Sequence, residues 1–127
     1  MALRLLLIAL GGAVGTLARY GVGAALATPT QRSGFPWGTL TVNLIGCFAI
    51  GLLSGLFADR WAAREEYRLA LIVGVLGGFT TFSSFGAETA ALLREGRVLH
   101  AGVNVVVQNV LGVALVFAGY ALGRGTS

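Results

Sequence analysis

Apolar residues fill four long runs of the chain, and short polar segments separate these runs. The runs cover residues 3–27, 37–58, 69–93 and 98–122. Each is long enough to cross a bilayer as a helix, which takes about 20 residues. The pattern therefore predicts an all-α integral membrane protein in which residues 1–127 form a single domain of four transmembrane helices.

Composition supports the membrane prediction and removes several other classes. Only 11% of the 127 residues are charged and 56% are hydrophobic, whereas soluble domains carry roughly 25% charged residues. All nine basic residues are arginines scattered near the ends of the runs, so the net charge of +4 forms no nucleic-acid patch. No nucleotide loop, metal-ligand cluster or nucleophile triad is present in the sequence, and we do not expect an enzyme.

The first run also has a competing interpretation as a cleaved secretory signal. Arg4 is followed by leucines, and Ala25-Leu26-Ala27 would suit a cleavage site. However, Arg19 interrupts the run, and the apolar stretch is longer than the core of a typical signal. We therefore expect the first span to be retained. Arg19 itself either extends its side chain to the membrane interface or lines an aqueous vestibule that attracts anions.

Small residues recur at four-residue spacing on two of the spans. Gly11 and Gly15 lie in the first run, and Gly51 and Gly55 lie in the second. Small side chains at this spacing allow two helix backbones to approach closely in lipid. We expect these four glycines to mark helix contacts.

The third run contains an unusual stretch, residues 74–88, with a glycine pair, four hydroxyl residues and three phenylalanines in its middle. Backbone polar groups in hydrocarbon must be satisfied internally. A Gly-Gly step followed by Thr-Thr and Ser-Ser therefore predicts a helix that breaks in the middle of the membrane. Such a break frees carbonyls and amides that can bind ions.

Polar side chains also follow one face of two other spans. Thr39, Asn43 and Cys47 recur at four-residue steps on the second span, as His100, Asn104 and Gln108 do on the fourth. Amides in a membrane need partners in the bundle or water. These stripes are either part of an ion pathway or only hydrogen bonds between helices.

Glu88 is the acidic residue of the third run, where a carboxylate is costly and usually functional. It could be protonated beside an anion route or bond a hydroxyl such as Ser84, four residues earlier. Alternatively, it is an acid near the helix end that reaches the interface. Arg94 and Arg97 follow it within a few turns.

The loops give only a weak orientation signal. Residues 28–34 are predicted to be a polar turn, and Trp37 and Trp61 suit the membrane interface. With four spans, five arginines lie on the side of the termini, at positions 4, 60, 64, 68 and 124, against three on the other, at positions 32, 94 and 97. So small a bias suggests that the chain inserts in both directions and pairs antiparallel with itself.

Three segments resemble the Fluc (CrcB) family of fluoride channels, and together they extend over nearly the whole chain. They are Gly11-Gly12-Ala13-Val14-Gly15 with Arg19, Trp37-Gly38-Thr39-Leu40-Thr41-Val42-Asn43, and Gly77-Gly78-Phe79-Thr80-Thr81-Phe82-Ser83-Ser84-Phe85. The resemblance implies an antiparallel, dual-topology homodimer with two fluoride pores and a buried structural sodium ion. It further implies a multi-pass protein of the cell inner membrane or plasma membrane that exports fluoride passively.

Matching positions carry the family's roles to this chain. Phe82 and Phe85 would be the pore phenylalanines and Asn43 the pore amide, while the backbone carbonyls of Gly77 and Thr80 would hold sodium. The full set of candidate pore residues is Asn43, Phe82, Phe85, Ser83, Ser84, Thr39, Thr81, Glu88, Asn104, Gln108 and Arg19. The fourth span departs from the family, because Asn104, Gln108 and Gly112 stand where relatives commonly have Tyr, Ser and other hydroxyl residues.

Physical chemistry is consistent with these roles. Fluoride is small and strongly hydrated, so a pore must replace its water with donors without holding the ion too tightly. Amides and hydroxyls supply such donors, and Phe82 and Phe85 offer the positive edges of their rings. From their spacing alone, core packing is the favoured explanation of the two phenylalanines, and the surrounding motif reverses that preference.

Two other functions remain possible at the level of sequence. The first is a small dual-topology multidrug exporter coupled to protons, which would be expected to place a carboxylate in the first span, where this chain has Arg19 and no acid. The second is a non-transporting assembly subunit held together by glycine contacts. For such a subunit, a broken third span would be unnecessary.

Overall fold

The computed structural model describes residues 1–58 and 65–125, and all regular structure in that part of the chain is helical. Four helices in it are long and apolar enough to cross a membrane: Ala2–Ala25, Trp37–Phe57, Glu65–Arg94 and Val98–Gly125. We call them the first to fourth spans. The third and fourth extend beyond the predicted limits by a few residues. Trp61, Arg60 and Arg64, which entered the prediction of orientation, lie outside the described residues.

The connection between the first two spans differs from the prediction. Residues 28–34 were expected to be a polar turn, but Ala27–Ser33 form a short helix. Gly34 ends it with a φ of 72°, a conformation that favours glycine. The Ser33 hydroxyl then accepts hydrogen bonds from the Phe35 N–H and the Trp37 indole N–H, at 3.1 Å and 3.0 Å. Local hydrogen bonding therefore continues the helix through this polar segment.

The glycine pairs contact neighbouring helices, as predicted. Gly11 and Gly15 lie so close to the third span that a Cβ on either would collide with the carbonyl of Ala70 or Val75. In lipid, such close backbone approach supplies packing energy that the hydrophobic effect cannot. The first span is thereby held against residues 65–79 of the third.

The second and fourth spans pack in the same manner. A Cβ on Gly51 or Gly55 would collide with a carbonyl of the fourth span, and a Cβ on Gly119 would collide with the carbonyl of Phe48. Glycines on both helices therefore interlock, and this pair forms the most extensive helix contact of the described chain.

The third and fourth spans are irregular where they approach the middle of the bundle. Residues Ala70–Leu76 and Val107–Leu111 have π-helical hydrogen bonding, a rare geometry that often marks functional sites. The third span then stops at Phe79 and resumes with Phe82–Arg94. The predicted break in the third helix is thus confirmed, and the next section describes the side chains that stabilise it.

Candidate functional site

The break consists of two extended residues between two helices. Thr80 has φ and ψ of −86° and 160°, and Thr81 has −151° and 122°. The Thr81 hydroxyl accepts the Ser84 N–H at 3.1 Å and so caps the second half of the span, Phe82–Arg94. Threonine suits this place because a β-branched residue favours extended backbone and its oxygen can cap a helix.

The break removes the regular helical donors of several backbone carbonyls, and for two of these carbonyls the former donor has an identified new partner. In an unbroken helix the Thr81 N–H would bond the Gly77 carbonyl, but here it donates to Asn43 Oδ1 at 2.9 Å. The Ser84 N–H would bond the Thr80 carbonyl, but it donates to Thr81 instead. The carbonyls of Gly77 and Thr80 are therefore released from helical hydrogen bonding by identified contacts.

Asn43, from the second span, holds the break by two hydrogen bonds. Its Oδ1 accepts the Thr81 N–H, and its Nδ2 donates to the Thr81 carbonyl, both at 2.9 Å. The amide thus replaces both helical partners that Thr81 lacks. The remaining donor of Asn43 reaches Gln108 Oε1 on the fourth span at 2.7 Å.

A chain of hydrogen bonds continues from Gln108 along the fourth span. Gln108 Nε2 donates to Asn104 Oδ1 at 2.9 Å, and Asn104 Nδ2 donates to the Thr89 hydroxyl at 3.0 Å. That hydroxyl in turn donates to the Phe85 carbonyl at 2.8 Å. Asn104 and Gln108 of the predicted polar stripe therefore form, with Asn43, a continuous amide chain that joins the second and fourth spans to both ends of the Thr81–Thr89 segment. His100 is not part of it, and its ring centroid lies 6.1 Å from that of Phe35.

Burial and register explain why this chain forms. Asn104 has no exposed surface at all, and a buried amide is costly unless it is hydrogen-bonded. The π-helical segment Val107–Leu111 contains both Gln108 and Asn109. Asn109 bonds only the Val105 carbonyl of its own helix, at 2.8 Å, and takes no part in the chain.

Phe82 and Phe85 begin the second half of the third span and share one face of it. Their ring centroids lie 5.6 Å apart with an interplanar angle of 48°, a tilted arrangement that suits aromatic pairs. Phe82 is 81% exposed in the single chain. It is therefore not a core residue of one subunit, and packing inside a subunit does not explain the pair.

Glu88 has a different partner from the one suggested by helical spacing. The Thr39 hydroxyl of the second span donates to Glu88 Oε1 at 2.7 Å, and Ser84 does not bond the carboxylate. The second oxygen, Oε2, is buried and has no hydrogen-bond partner. Glu88 is therefore hydrogen-bonded to the second span, beside a cavity that residues of the connection after the first span also border. Sequence spacing failed here because the bond joins two helices.

Arg19 lies against the break. Its Nε donates to the Gly78 carbonyl at 3.0 Å, and the residue lines a cavity with Thr39, Thr81 and Ser84. This contact is distinct from the simple extension to the interface that was one of the two expectations. Ser83 is exposed, and its hydroxyl lies 3.4 Å from that of Thr81.

All candidate pore residues except Ser83 and Asn104 line three adjoining cavities. The first, of about 350 Å³, is bordered by Asn43, Gln108, both phenylalanines and the residues of the break. Thr81 also borders the second cavity, which contains Arg19, and Thr39 joins the second to the third, which contains Glu88. The first cavity is open at the side of the chain and forms a groove.

Thr89 is the one member of the amide chain that the sequence analysis missed. It lies four residues after Phe85 and next to Glu88, in an alanine-rich segment. Thr89 is the only residue with a hydroxyl group in residues 86–94, and this was the signal that could have identified it. In the described part of the chain, no group of three or more His, Cys, Asp or Glu side chains could hold a metal ion.

These features define a class: a helical, multi-pass membrane protein with a polar site at a broken span. Comparison with known proteins specifies the family. Residues 6–120 match the family model described as "CrcB-like protein, Camphor Resistance (CrcB)". The chain therefore belongs to the CrcB family, which confirms the resemblance noted in the sequence.

Relatives that are similar over nearly their whole length are named as fluoride channels. The chain is 49% identical over 117 residues to the "Fluoride-specific ion channel FluC" of Desulforapulum autotrophicum, covering 92% of this chain and 93% of that protein. It is 50% identical over 124 residues to a protein of the same name from Solibacter usitatus, covering 96% and 99%. A third relative of that name, from Agrobacterium fabrum, is 49% identical over 121 residues, covering 93% and 94%.

Proposed function

We propose that the chain is a fluoride-selective channel that lets fluoride leave the cell down its electrochemical gradient. Relatives named as fluoride-specific channels, similar over almost their entire length, carry this proposal. They favour it over the multidrug exporter and over an assembly subunit. An ion channel needs no catalytic centre, in agreement with the expectation that the protein is not an enzyme.

The geometry of the site supports an anion as the permeating species. The first cavity contains the uncharged amides of Asn43 and Gln108, and Phe82 and Phe85 border the same cavity. Such donors replace the hydration shell of fluoride without the tight binding of a fixed cation. The guanidinium of Arg19, held near the break by the Gly78 carbonyl, adds a positive charge where an anion would enter.

The pore requires a second copy of the chain. Phe82 is largely exposed and the first cavity is open at its side, so a single subunit leaves half of the route uncovered. The near balance of arginines between the two sides of the membrane supports insertion in both directions. We therefore propose an antiparallel homodimer with dual topology in the cell inner membrane or plasma membrane.

A structural sodium ion fits the break. The carbonyls of Gly77 and Thr80 are the two that identified side-chain and backbone contacts release from helical bonding. Carbonyl oxygens are ligands of hard cations. When bound, the cation would offset the negative ends of two carbonyl dipoles, and Asn43 and Thr81 would keep those carbonyls available.

Passive export is energetically sufficient. A negative cell interior drives each anion outward with about 2.3 kcal/mol per 100 mV. No coupling to protons or nucleotide is then required to lower the fluoride concentration of the cytoplasm.

Fluoride efflux from liposomes containing only the purified protein tests the proposal. We expect rapid efflux of fluoride, little efflux of chloride and no dependence on a proton gradient. Proton-dependent efflux of a hydrophobic cation would support the exporter instead, and the absence of any transport would support the assembly subunit. Crosslinking of tagged subunits that found every N-terminus on one face would contradict dual topology.

A further inference from the structure

The amide chain between the second and fourth spans has a direction that its first end determines. At that end, the Thr81 N–H can only donate and the Thr81 carbonyl can only accept. Asn43 must therefore present Oδ1 to the former and Nδ2 to the latter. Its remaining N–H is a donor, so Gln108 must answer with its oxygen, Oε1, at 2.7 Å.

The other end imposes the same direction independently. The Phe85 carbonyl can only accept, so the Thr89 hydroxyl uses its single proton there and becomes an acceptor for Asn104 Nδ2. Asn104 Oδ1 must then accept from Gln108 Nε2, which again leaves Gln108 Oε1 pointing at Asn43. Every link agrees, and the amide chain therefore has a single polarity.

This polarity is the wrong one for an anion. The groove at Asn43 and Gln108 presents a carbonyl oxygen toward the very N–H that would bind fluoride. We propose, on the basis of the fluoride channel function above, that fluoride binding reverses the amide chain and creates a two-donor site between Asn43 Nδ2 and Gln108 Nε2. In the fluoride-bound state, Gln108 Nε2 would donate to the anion. Without fluoride, Gln108 Oε1 accepts the same Asn43 N–H that would otherwise donate to the anion.

The reversal conserves hydrogen bonds. The Thr89 hydroxyl turns from the Phe85 carbonyl to Asn104 Oδ1, Asn104 Nδ2 donates to Gln108 Oε1, and Gln108 Nε2 donates to the anion together with Asn43. Two bonds are lost, from Asn43 to Gln108 and from Thr89 to Phe85. Two bonds to fluoride replace them. The Phe85 carbonyl remains available to the backbone of its own helix.

The surroundings allow this rearrangement. Two nitrogens that share one anion lie further apart than a nitrogen and an oxygen in direct contact, so Gln108 must move aside. It borders the cavity of about 350 Å³ into which it can turn. Asn104 is completely buried, so its amide cannot turn to water and must follow Gln108. An exchange of one acceptor for another also lets fluoride leave easily, as conduction requires.

Through-hydrogen-bond couplings between side-chain amide nitrogens and carbonyl carbons measure the direction directly. With labelled Asn and Gln in the full-length protein, we expect a coupling from Gln108 Nε2 to the side-chain carbonyl carbon of Asn104, Cγ, in samples without fluoride. Saturating sodium fluoride should replace it by a coupling from Asn104 Nδ2 to the side-chain carbonyl carbon of Gln108, Cδ, and sodium chloride should not. An unchanged direction with fluoride would overturn the inference.

Flux through variants provides a second measurement. Gln108→Met keeps the length of the side chain but removes the amide oxygen and nitrogen, and we expect fluoride efflux to fall by about tenfold or more. Asn109→Met is the matched control, because Asn109 borders the same groove outside the chain of bonds. Its efflux should stay within about twofold of wild type. Wild-type efflux in Gln108→Met would overturn the inference.

The two experiments also separate this inference from the function on which it rests. If the wild-type protein passes no fluoride, the proposed function fails and the inference fails with it. If the wild type passes fluoride and the coupling direction does not change, the inference alone fails. The coupling measurement uses the wild-type chain, so it remains decisive if Gln108→Met does not fold.

Discussion

The two halves of the third span are held in the bundle by different forces. Residues 65–79 contact the first span mainly by close backbone packing, with Gly74 and Gly78 placed against glycines and carbonyls of that helix. Arg4 of the first span adds ion pairs to Glu65 and Glu66, and Arg19 adds a hydrogen bond to the Gly78 carbonyl. The second half, Phe82–Arg94, is held mainly by side-chain hydrogen bonds, from Thr39 to Glu88 and from Asn104 to Thr89. Close packing therefore dominates in the first half, and side-chain hydrogen bonds dominate in the second.

The difference has a consequence for function. Close backbone packing leaves little space for movement, so the first half is suited to anchoring. Hydrogen bonds can exchange one acceptor for another with little net cost. The second half therefore combines a defined position with side chains that can respond to an ion, and it carries both Phe82 and Phe85.

The most damaging change should be to the anchoring half. Gly15→Ala places a methyl group against the Val75 carbonyl, where backbone cannot move aside, and we expect a loss of about 3 kcal/mol or more. Thermal unfolding in detergent measures it. Gly21→Ala, on the same helix with nothing nearby, is the control. Equal stability of the two variants would contradict the contrast between the halves.

Asn43→Ala should disturb the junction between the halves. The Thr81 N–H and carbonyl both lose their partner, at a cost of about 1–3 kcal/mol. Fluoride efflux should fall by a larger factor than in any variant of the outer surface. Asn109→Ala, which removes an amide bonded only within its own helix, should be close to wild type in both measurements. Normal efflux in Asn43→Ala would show that the amide is not part of the pathway.

Phe82→Ile should separate transport from stability. The side chain is 81% exposed in one subunit, so subunit unfolding should change by less than about 0.5 kcal/mol. Fluoride efflux should nevertheless drop about tenfold, because the ring edge is worth roughly as much as a weak hydrogen bond to the ion. Phe117→Ile, at another exposed phenylalanine on the fourth span, should leave efflux unchanged. Equal efflux in both variants would remove Phe82 from the pore.

Thr39→Val should produce the smallest of these effects. The substitution keeps the shape of the side chain and deletes the donor to Glu88 Oε1, which should cost about 1 kcal/mol of stability. Glu88→Gln, which retains an acceptor oxygen for Thr39, serves as the companion variant and should be less destabilised. If Glu88→Gln is less stable than Thr39→Val, the hydrogen bond from Thr39 does not stabilise the second half of the third span as the comparison requires.

The elements and the break were predictable because they depend on local patterns. Four apolar runs determine four spans through the thickness of the bilayer, and Gly-Gly-Phe-Thr-Thr interrupts a helix through backbone preference alone. The glycine pairs at Gly11 and Gly51 were predictable for the same reason, because a residue without a side chain permits close approach from whichever helix arrives.

Contacts between helices were less accessible to sequence reasoning. Helical spacing suggested Ser84 as the partner of Glu88, but Thr39 of another span bonds it. Thr89 went unnoticed because its role depends on Asn104, fifteen positions away. The polar segment after the first span also formed a helix where a turn was predicted, since the Ser33 hydroxyl satisfies the groups at its end.

The sequence by itself determined that the chain is a four-span membrane protein with an interrupted third helix and a set of amides, hydroxyls and phenylalanines near the interruption. Only the tertiary structure decided which of these groups meet and in which direction each amide points. The physical reason is that hydrophobicity and backbone preference act along the chain, whereas a hydrogen bond needs two atoms within about 3 Å of each other. In this bundle such pairs come from different helices, as those of Asn43 do.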